Sequence, residues 1–171
     1  FPPIPADVAA QSFANNFNWN VSKGGNRYRR GMYTFFKRTA PAPNLMTFDC
    51  PDSNTSITQR NVSNTPLMAL TTLQNIVFHE ASQALARRIE ENPALTNKQP
   101  RLEHLFKLTL SRLPEPKELD IALGLLKENL SLYLDHPDQT LELCGESKPS
   151  LAAWIATVRI ITNLDEFITC P

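Results

Sequence analysis

The sequence is poor in the residues that most often build a recognisable active site or metal site. Its 171 residues include only three cysteines, three histidines and five glycines. No two cysteines lie close together, which excludes a CxxC redox pair, a zinc ribbon and a CxxCH haem attachment within this chain. No apolar run approaches the roughly 18–20 residues that a membrane-spanning helix needs. We therefore predict no membrane span.

Catalytic motifs are missing as well. The sequence has no Ser–His–Asp order of a catalytic triad, no glycine-rich phosphate loop and no nucleophile elbow. His79-Glu80 lacks the second histidine of a zinc-protease helix, His104 borders an apolar stripe, and His136 precedes a proline in a predicted turn. We therefore expect no metal and no cofactor in this chain.

The chain has no net charge, with 17 basic and 17 acidic residues. This balance disfavours a globally cationic nucleic-acid-binding protein, and the ordinary apolar content disfavours disorder. The charges are unevenly spread: no acid lies between Asp7 and Asp49, whereas eight acids and two lysines lie between Glu115 and Glu146. Blocks of opposite sign pair most simply with each other, or with the remainder of a longer chain.

The three cysteines leave two states open. One disulfide could join Cys50 to Cys144 and leave Cys170 for another partner. Alternatively, the thiols are free and buried, since free cysteine behaves as a small apolar residue.

Proline is abundant, with fourteen residues, most of them between segments of helical periodicity. We predict a mainly α fold, in which an irregular, basic and aromatic segment over residues 1–63 precedes a bundle of about five helices over residues 64–171. Thr65 as N-cap, followed by Pro66, marks the start of the first long helix. A short helix is also expected from Asp7, and the stretch MYTFFKRT is open to helix or strand.

An apolar stripe from Leu67 to about Glu91 predicts an amphipathic helix that Asn75 breaks or kinks. Further helices are predicted in the segments QPRLEHLFKLTLSR, EPKELDIALGLLKENLSLYL and SLAAWIATVRIITNLDEFIT. Ser150 is the expected cap of the last helix, and Asn163 the expected cap of a final helical turn.

Residues 27–43, RYRRGMYTFFKRTAPAP, combine five cations with four aromatic residues. Arg29, Arg30 and Arg38 are candidates for binding an oxyanion such as a sulfated sugar, because the planar guanidinium grips oxyanions as a fork. The same groups could also stack bases and neutralise phosphates.

A second set of polar residues follows in one predicted loop region. Asp49, Arg60 and Asn64 could line a cleft and orient a substrate, and two converging carboxylates there could serve as general acid and base. Asp52 and Asn61 belong to the same region.

Both sets also have a structural interpretation, which the zero net charge and the matching acidic block favour. The arginines would then pair with acids such as Asp49 and Asp52, and Asp49 with Arg60 would form a clasp. Glu166 could reach back to an arginine of residues 27–43 and so join the two ends of the chain.

Four strings in order resemble a known family: RYRRGMYTFFKRTAPAP, TFDCPD, QRNVSNTPLMALTTLQN and NLDEF. Together they resemble the planctomycete-type domain of unknown function numbered fifteen fifty-three, over nearly the whole chain. The family pattern differs at Cys50, usually a small residue, and after Asn75, where an acid and a proline usually stand instead of Ile76 and Val77.

The resemblance implies an exported, bacterial multidomain protein that is periplasmic or extracellular. It implies that the chain is the C-terminal part of a larger domain, with the preceding part, intact or as a cleaved chain, as its partner. A c-type cytochrome is a further expected partner, so haem c would lie on an associated chain or domain. No nucleic acid is expected as a partner.

Two functions are compatible with these observations. The first is a non-catalytic scaffold, docking or ligand-presenting domain. The second is part of an extracytoplasmic enzyme that acts on sulfated polysaccharide or another periplasmic substrate, with Asp49, Arg60 and Asn64 lining the cleft.

Overall fold

The computed structural model describes residues 1–4, 19–36 and 41–169. Within these ranges the chain forms helices and irregular segments and no strand. Two short 3-10 helices occupy Gly24–Tyr28 and Gly31–Tyr33. The α-helices are α1 Pro43–Thr47, α2 Pro66–Gln74, α3 Ile76–Glu90, α4 Lys98–Leu110, α5 Pro116–Asp135, α6 Pro137–Cys144, α7 Pro149–Ile161 and α8 Asp165–Ile168. The predicted mainly α fold is confirmed.

Helix α7 is the centre of the bundle. It packs against α3, α5 and α6, and eight of its thirteen residues are buried. Its sequence is apolar on all sides, as expected for a helix surrounded by other helices. The remaining core comes from the inner faces of α3 to α6, including Ile89, Leu102, Leu105 and Leu126.

Proline explains where many helices begin. Pro43, Pro66, Pro116, Pro137 and Pro149 each open an α-helix, where a missing N–H costs nothing and the fixed φ suits the helix. The predicted Thr65 cap is confirmed, since its Oγ1 accepts a hydrogen bond from the Met68 N–H at 3.3 Å.

The long stripe from Leu67 is interrupted at Asn75, which ends α2 and caps α3. Asn75 has an extended backbone conformation, so the helical periodicity does not continue across it. The buried face of α2 is therefore not the one that a continuous stripe predicts. Leu67 and Leu70 are 58% and 47% exposed, whereas Met68 and Thr72 are buried. The break needs no proline, because Asn75 Oδ1 accepts the Val77 N–H at 3.0 Å.

Two predicted caps are wrong. Lys148 precedes α7, and Ser150 lies inside the helix, where its hydroxyl donates to Glu90 Oε1 at 2.5 Å. Leu164 precedes α8, while Asn163 Oδ1 accepts from the Thr72 hydroxyl at 2.5 Å. Both side chains bind another helix instead of their own backbone.

The described residues within 1–63 are largely irregular, as predicted, but the two 3-10 helices and α1 lie in this segment and were not predicted. Tyr33 ends a 3-10 turn, and Thr34 to Phe36 form neither helix nor strand. The helix predicted from Asp7 lies outside the described residues. None of the helices within the described ranges is both long enough and apolar enough to cross a membrane.

Candidate functional site

Residues 27–31, which we call the arginine loop, lie against helix α1. The approach is close at Gly31, where a Cβ would lie only 2.8 Å from Leu45 Cδ2. A side chain there would require the end of the Leu45 side chain to shift. On the other flank, the Phe1 ring packs against Trp19 and Phe35, with ring centroids 5.0 and 6.0 Å apart.

Between the arginine loop, α1 and α3 lies a cavity of about 820 Å³, which we call the cleft. Its size is within the range of roughly 300–1,000 Å³ that is usual for small-molecule sites. Cationic, aromatic and aliphatic side chains line it, among them Arg27, Arg29, Arg30, Phe48, Arg60 and Phe78.

Glu80 of α3 holds the loop at the cleft. It accepts a hydrogen bond from Arg27 Nη2 at 2.8 Å and another from the Tyr28 hydroxyl at 2.8 Å. The bond to Glu80 raises the pKa of the Tyr28 phenol, which therefore remains a donor. No local pattern around His79-Glu80 predicts this contact, since Glu80 lies 53 residues from Arg27.

The other arginines of the cleft are exposed and differ in their bonding. Arg29 donates through Nε and Nη2 to Asn26 Oδ1, at 3.2 and 2.9 Å. Arg60 donates through Nη2 to the Phe48 carbonyl at 2.8 Å. The Arg30 side chain has no hydrogen bond or ion pair to the part of the chain that the structure describes, although its carbonyl accepts the Tyr33 N–H at 2.9 Å. Arg38 lies outside the described residues.

The three residues that were predicted to line one cleft bind different partners. Asp49 has a positive φ of 55° and accepts from the Ser63 N–H and hydroxyl, at 2.8 and 2.7 Å. Asn64 donates to Asp165 of α8. Of the three, only Arg60 lines the cleft, and the Asp49–Arg60 clasp is not formed because each side chain has another partner.

Asp49 instead lines a smaller neighbouring cavity of about 300 Å³. Asp52 and Asn61 also line it, and Cys50 lines both cavities. Asp52 bonds to the N–H and amide of Asn54, at 3.0 and 2.9 Å, and these bonds lower its pKa. Asp52 is therefore not a partner of the arginines either.

The predicted contact of Glu166 with residues 27–43 is also wrong. Glu166 binds Arg112, which donates to both carboxylate oxygens at 2.7 Å. Arg112 donates in the same way to Glu118, again at 2.7 Å. Two acids of the acidic block thus pair with arginines of the bundle, Glu118 with Arg112 and Glu146 with Arg87 at 2.9 Å.

Cys50 and Cys144 are both free thiols, so the Cys50–Cys144 disulfide is absent. The predicted free and buried state describes Cys144, whereas Cys50 is half-buried. Cys144 ends α6 inside the bundle core, where burial raises its pKa. Cys50 follows α1 and lines the cleft, which places the two thiols in different parts of the molecule. Cys170 lies outside the described residues.

No histidine is among the described residues that line the cleft. Burial, with a smaller effect of Arg159, lowers the pKa of His79. Its Nε2 lies 3.0 Å from the Gln83 amide, which also donates to the Leu143 carbonyl at 2.7 Å. Within residues 1–4, 19–36 and 41–169, no group of three or more His, Cys, Asp or Glu side chains could hold a metal ion.

Comparison with protein families gives a match. The model of the family PSD1, protein of unknown function (DUF1553), matches residues 4–126. The match includes the arginine loop and the described cleft lining except Pro2, whereas the string NLDEF at 163–167 lies beyond it. No curated protein and no solved structure matches the chain.

Proposed function

Because the chain belongs to the DUF1553 family of proteins of unknown function, we propose a function from its own geometry: it is a non-catalytic, ligand-presenting domain that binds an oxyanion in the cleft. The arginine loop and Arg60 supply the binding groups. Helices α1 and α3 hold them in place.

The composition of the cleft carries this proposal. Four arginines, Arg27, Arg29, Arg30 and Arg60, line it, and the described lining includes no Asp, Glu or His. Guanidinium groups keep their charge at every physiological pH and donate paired hydrogen bonds to carboxylate, sulfate or phosphate. Among the described residues, only Arg27 of the four is paired with an acid, Glu80, so an excess of cations remains and favours an anionic ligand.

The bonding of the nearby acids favours binding over catalysis. General acid–base catalysis needs a titrating group within hydrogen-bond reach of the substrate. Asp49 is engaged by Ser63, and Asp165 by Asn64 and Thr169. The alternative enzyme, with Asp49, Arg60 and Asn64 around one substrate, therefore has less support.

The wider setting follows from the family resemblance. We propose an exported bacterial protein in which this domain serves as a scaffold or docking unit beside a c-type cytochrome, with haem c on the associated chain or domain. A sulfated polysaccharide fragment is one oxyanion that such a setting would supply.

Isothermal titration with glucose 6-sulfate and with glucose tests the proposal. We expect the sulfated sugar to bind and the neutral sugar not to bind. Arg30→Gln and Arg60→Gln should each weaken binding about tenfold, equivalent to roughly 1.4 kcal/mol. Added salt should weaken it further because exposed charges are screened.

Arg88→Gln is the matched control, since Arg88 is exposed on α3 and does not line the cleft. The Arg88→Gln variant should bind glucose 6-sulfate with the same affinity as the unsubstituted chain. Equal binding of both sugars, or equal losses in all three variants, would contradict an arginine-built oxyanion site.

A further inference from the structure

The inner surface of the cleft is apolar. Leu45 of α1 and Phe48, which follows α1, contribute to this surface. Val77 and Phe78 of α3 contribute as well. The rings of Phe48 and Phe78 pack together with centroids 5.6 Å apart. Ala42, which is 2% exposed, completes this surface. We call these five residues the floor.

The cationic groups lie on the solvent side of the floor. Arg29, Arg30 and Arg60 are exposed, whereas every floor residue is buried or half-buried. Arg27 is held by Glu80, so its charge is partly neutralised. Arg30 and the remaining donors of Arg60 are therefore the guanidinium groups most open to a ligand.

We propose that the ligand of the cleft is an amphipathic anion. Its carboxylate, sulfonate or sulfate binds the exposed arginines, and an aliphatic chain or ring lies on the floor. This inference rests on the proposed oxyanion binding and specifies the ligand class at the same site.

A sulfated sugar would bind through its oxyanion alone, because its hydroxyl groups gain nothing from this surface. Sugar hydroxyls that are moved from water onto Leu, Val and Phe side chains lose hydrogen bonds that the floor cannot replace. Asn44, a polar residue of the lining, already accepts a hydrogen bond from Asn75 Nδ2 at 2.9 Å. Apolar atoms of a ligand would instead gain from leaving water.

A series of alkanesulfonates tests the inference, because the sulfonate stays anionic while the chain length varies. Methane-, butane- and hexanesulfonate would be titrated into the protein by calorimetry. We expect the Kd to fall by up to roughly fourfold for each methylene that reaches the floor, as follows from about 0.8 kcal/mol per buried CH₂. 1-Hexanol, which lacks the charge, should bind more weakly than hexanesulfonate.

Val77→Thr changes the floor at nearly constant shape. It should weaken hexanesulfonate severalfold and leave methanesulfonate unchanged. Ile121→Thr is the matched control, because Ile121 is 63% exposed on α5 and does not line the cleft. Circular dichroism of both variants would establish that they fold.

The outcomes separate the two proposals. If affinity rises with chain length and depends on Val77 and Arg30, both stand. If the sulfonates and glucose 6-sulfate bind equally well at every chain length, the oxyanion site stands and the amphipathic ligand is overturned. If no anion binds, or if 1-hexanol binds as tightly as hexanesulfonate, both proposals are overturned.

Discussion

The guanidinium of Arg112 holds two carboxylates at once. Glu118 belongs to the first turn of α5 and Glu166 to α8, and each forms two hydrogen bonds with Arg112. Glu118 also accepts the Glu115 N–H at 2.7 Å and completes a capping box. Such paired bonds are stronger than single ones and fix the relative orientation of the groups.

The residue-scale prediction concerns Glu118→Gln, which keeps the capping box but removes one charge. Arg112, followed by the Glu115 N–H, lowers the pKa of Glu118 from 4.5 to about 2. A lowered folded-state pKa stabilises the protein above the unfolded pKa, and this contribution is lost as the pH falls from about 4.5 to about 2. At pH 7 we expect a loss of roughly 1 kcal/mol, a value reduced by solvent screening.

Urea unfolding at several pH values measures this effect. The difference between Glu118→Gln and the unsubstituted chain should shrink as the pH falls below 4.5. Glu128→Gln, an exposed change on the same helix, should show no such pH dependence. A difference that stayed constant from pH 7 to pH 2.5 would exclude the ion pair as its source.

Helices α2 and α3 meet at a single residue. Asn75 Oδ1 accepts a hydrogen bond from the Val77 N–H, and Asn75 Nδ2 donates one to Asn44 Oδ1 of α1 at 2.9 Å. One side chain therefore caps a helix and connects it to another. The direction of α3, which carries Val77 and Phe78 of the floor, depends on this junction.

At the element scale, Asn75→Ala should destabilise the fold by about 1–2 kcal/mol, because an N-cap and a hydrogen bond between helices are both lost. Asn75→Asp keeps the cap and should lose less. Thermal and urea unfolding followed by circular dichroism would show the order. Equal stability of the Ala and Asp variants would mean that the cap contributes nothing.

At this scale the sequence predicts where a helix begins, but not which face of the helix is buried. Thr65 and Pro66 act on their own helix, so their pattern predicted its start correctly. The exposure of Leu67 and Leu70 was missed, because the orientation of α2 depends on the break at Asn75. Helix α6 was not predicted, since its eight residues are too few for a clear apolar period.

The contacts of the candidate site were harder to foresee. The sequence pointed to Arg29, Arg30 and Arg60 from composition alone, and these residues do line the cleft. Their structural partners were predicted as Asp49 and Asp52, the nearest acids in the chain. None of these three arginines pairs with an acid among the described residues. The acid that does bind the arginine loop, Glu80, pairs with Arg27, 53 residues away, a separation at which charge patterning carries no information about pairing.

The whole molecule depends on α7, whose Ile155 is fully buried. Ile155→Ala should lower the free energy of unfolding by about 2–5 kcal/mol through lost burial and the cavity left behind. The total free energy of unfolding of a domain of this size is only about 5–15 kcal/mol. Ile121→Ala, on the exposed face of α5, should change it by less than about 0.5 kcal/mol. Similar midpoints in urea for the two variants would contradict the central role of α7.

The link between Arg27 and Glu80 has a consequence for the order of unfolding. The pair is only part-buried, and neither of the 3-10 helices beside it contributes a buried residue, whereas α3 packs against α7 in the bundle core. Segments with few buried apolar contacts open locally at a lower free energy than the core, so the arginine loop detaches from α3 before the bundle unfolds. A ligand that binds only the completed cleft would oppose this local opening by mass action.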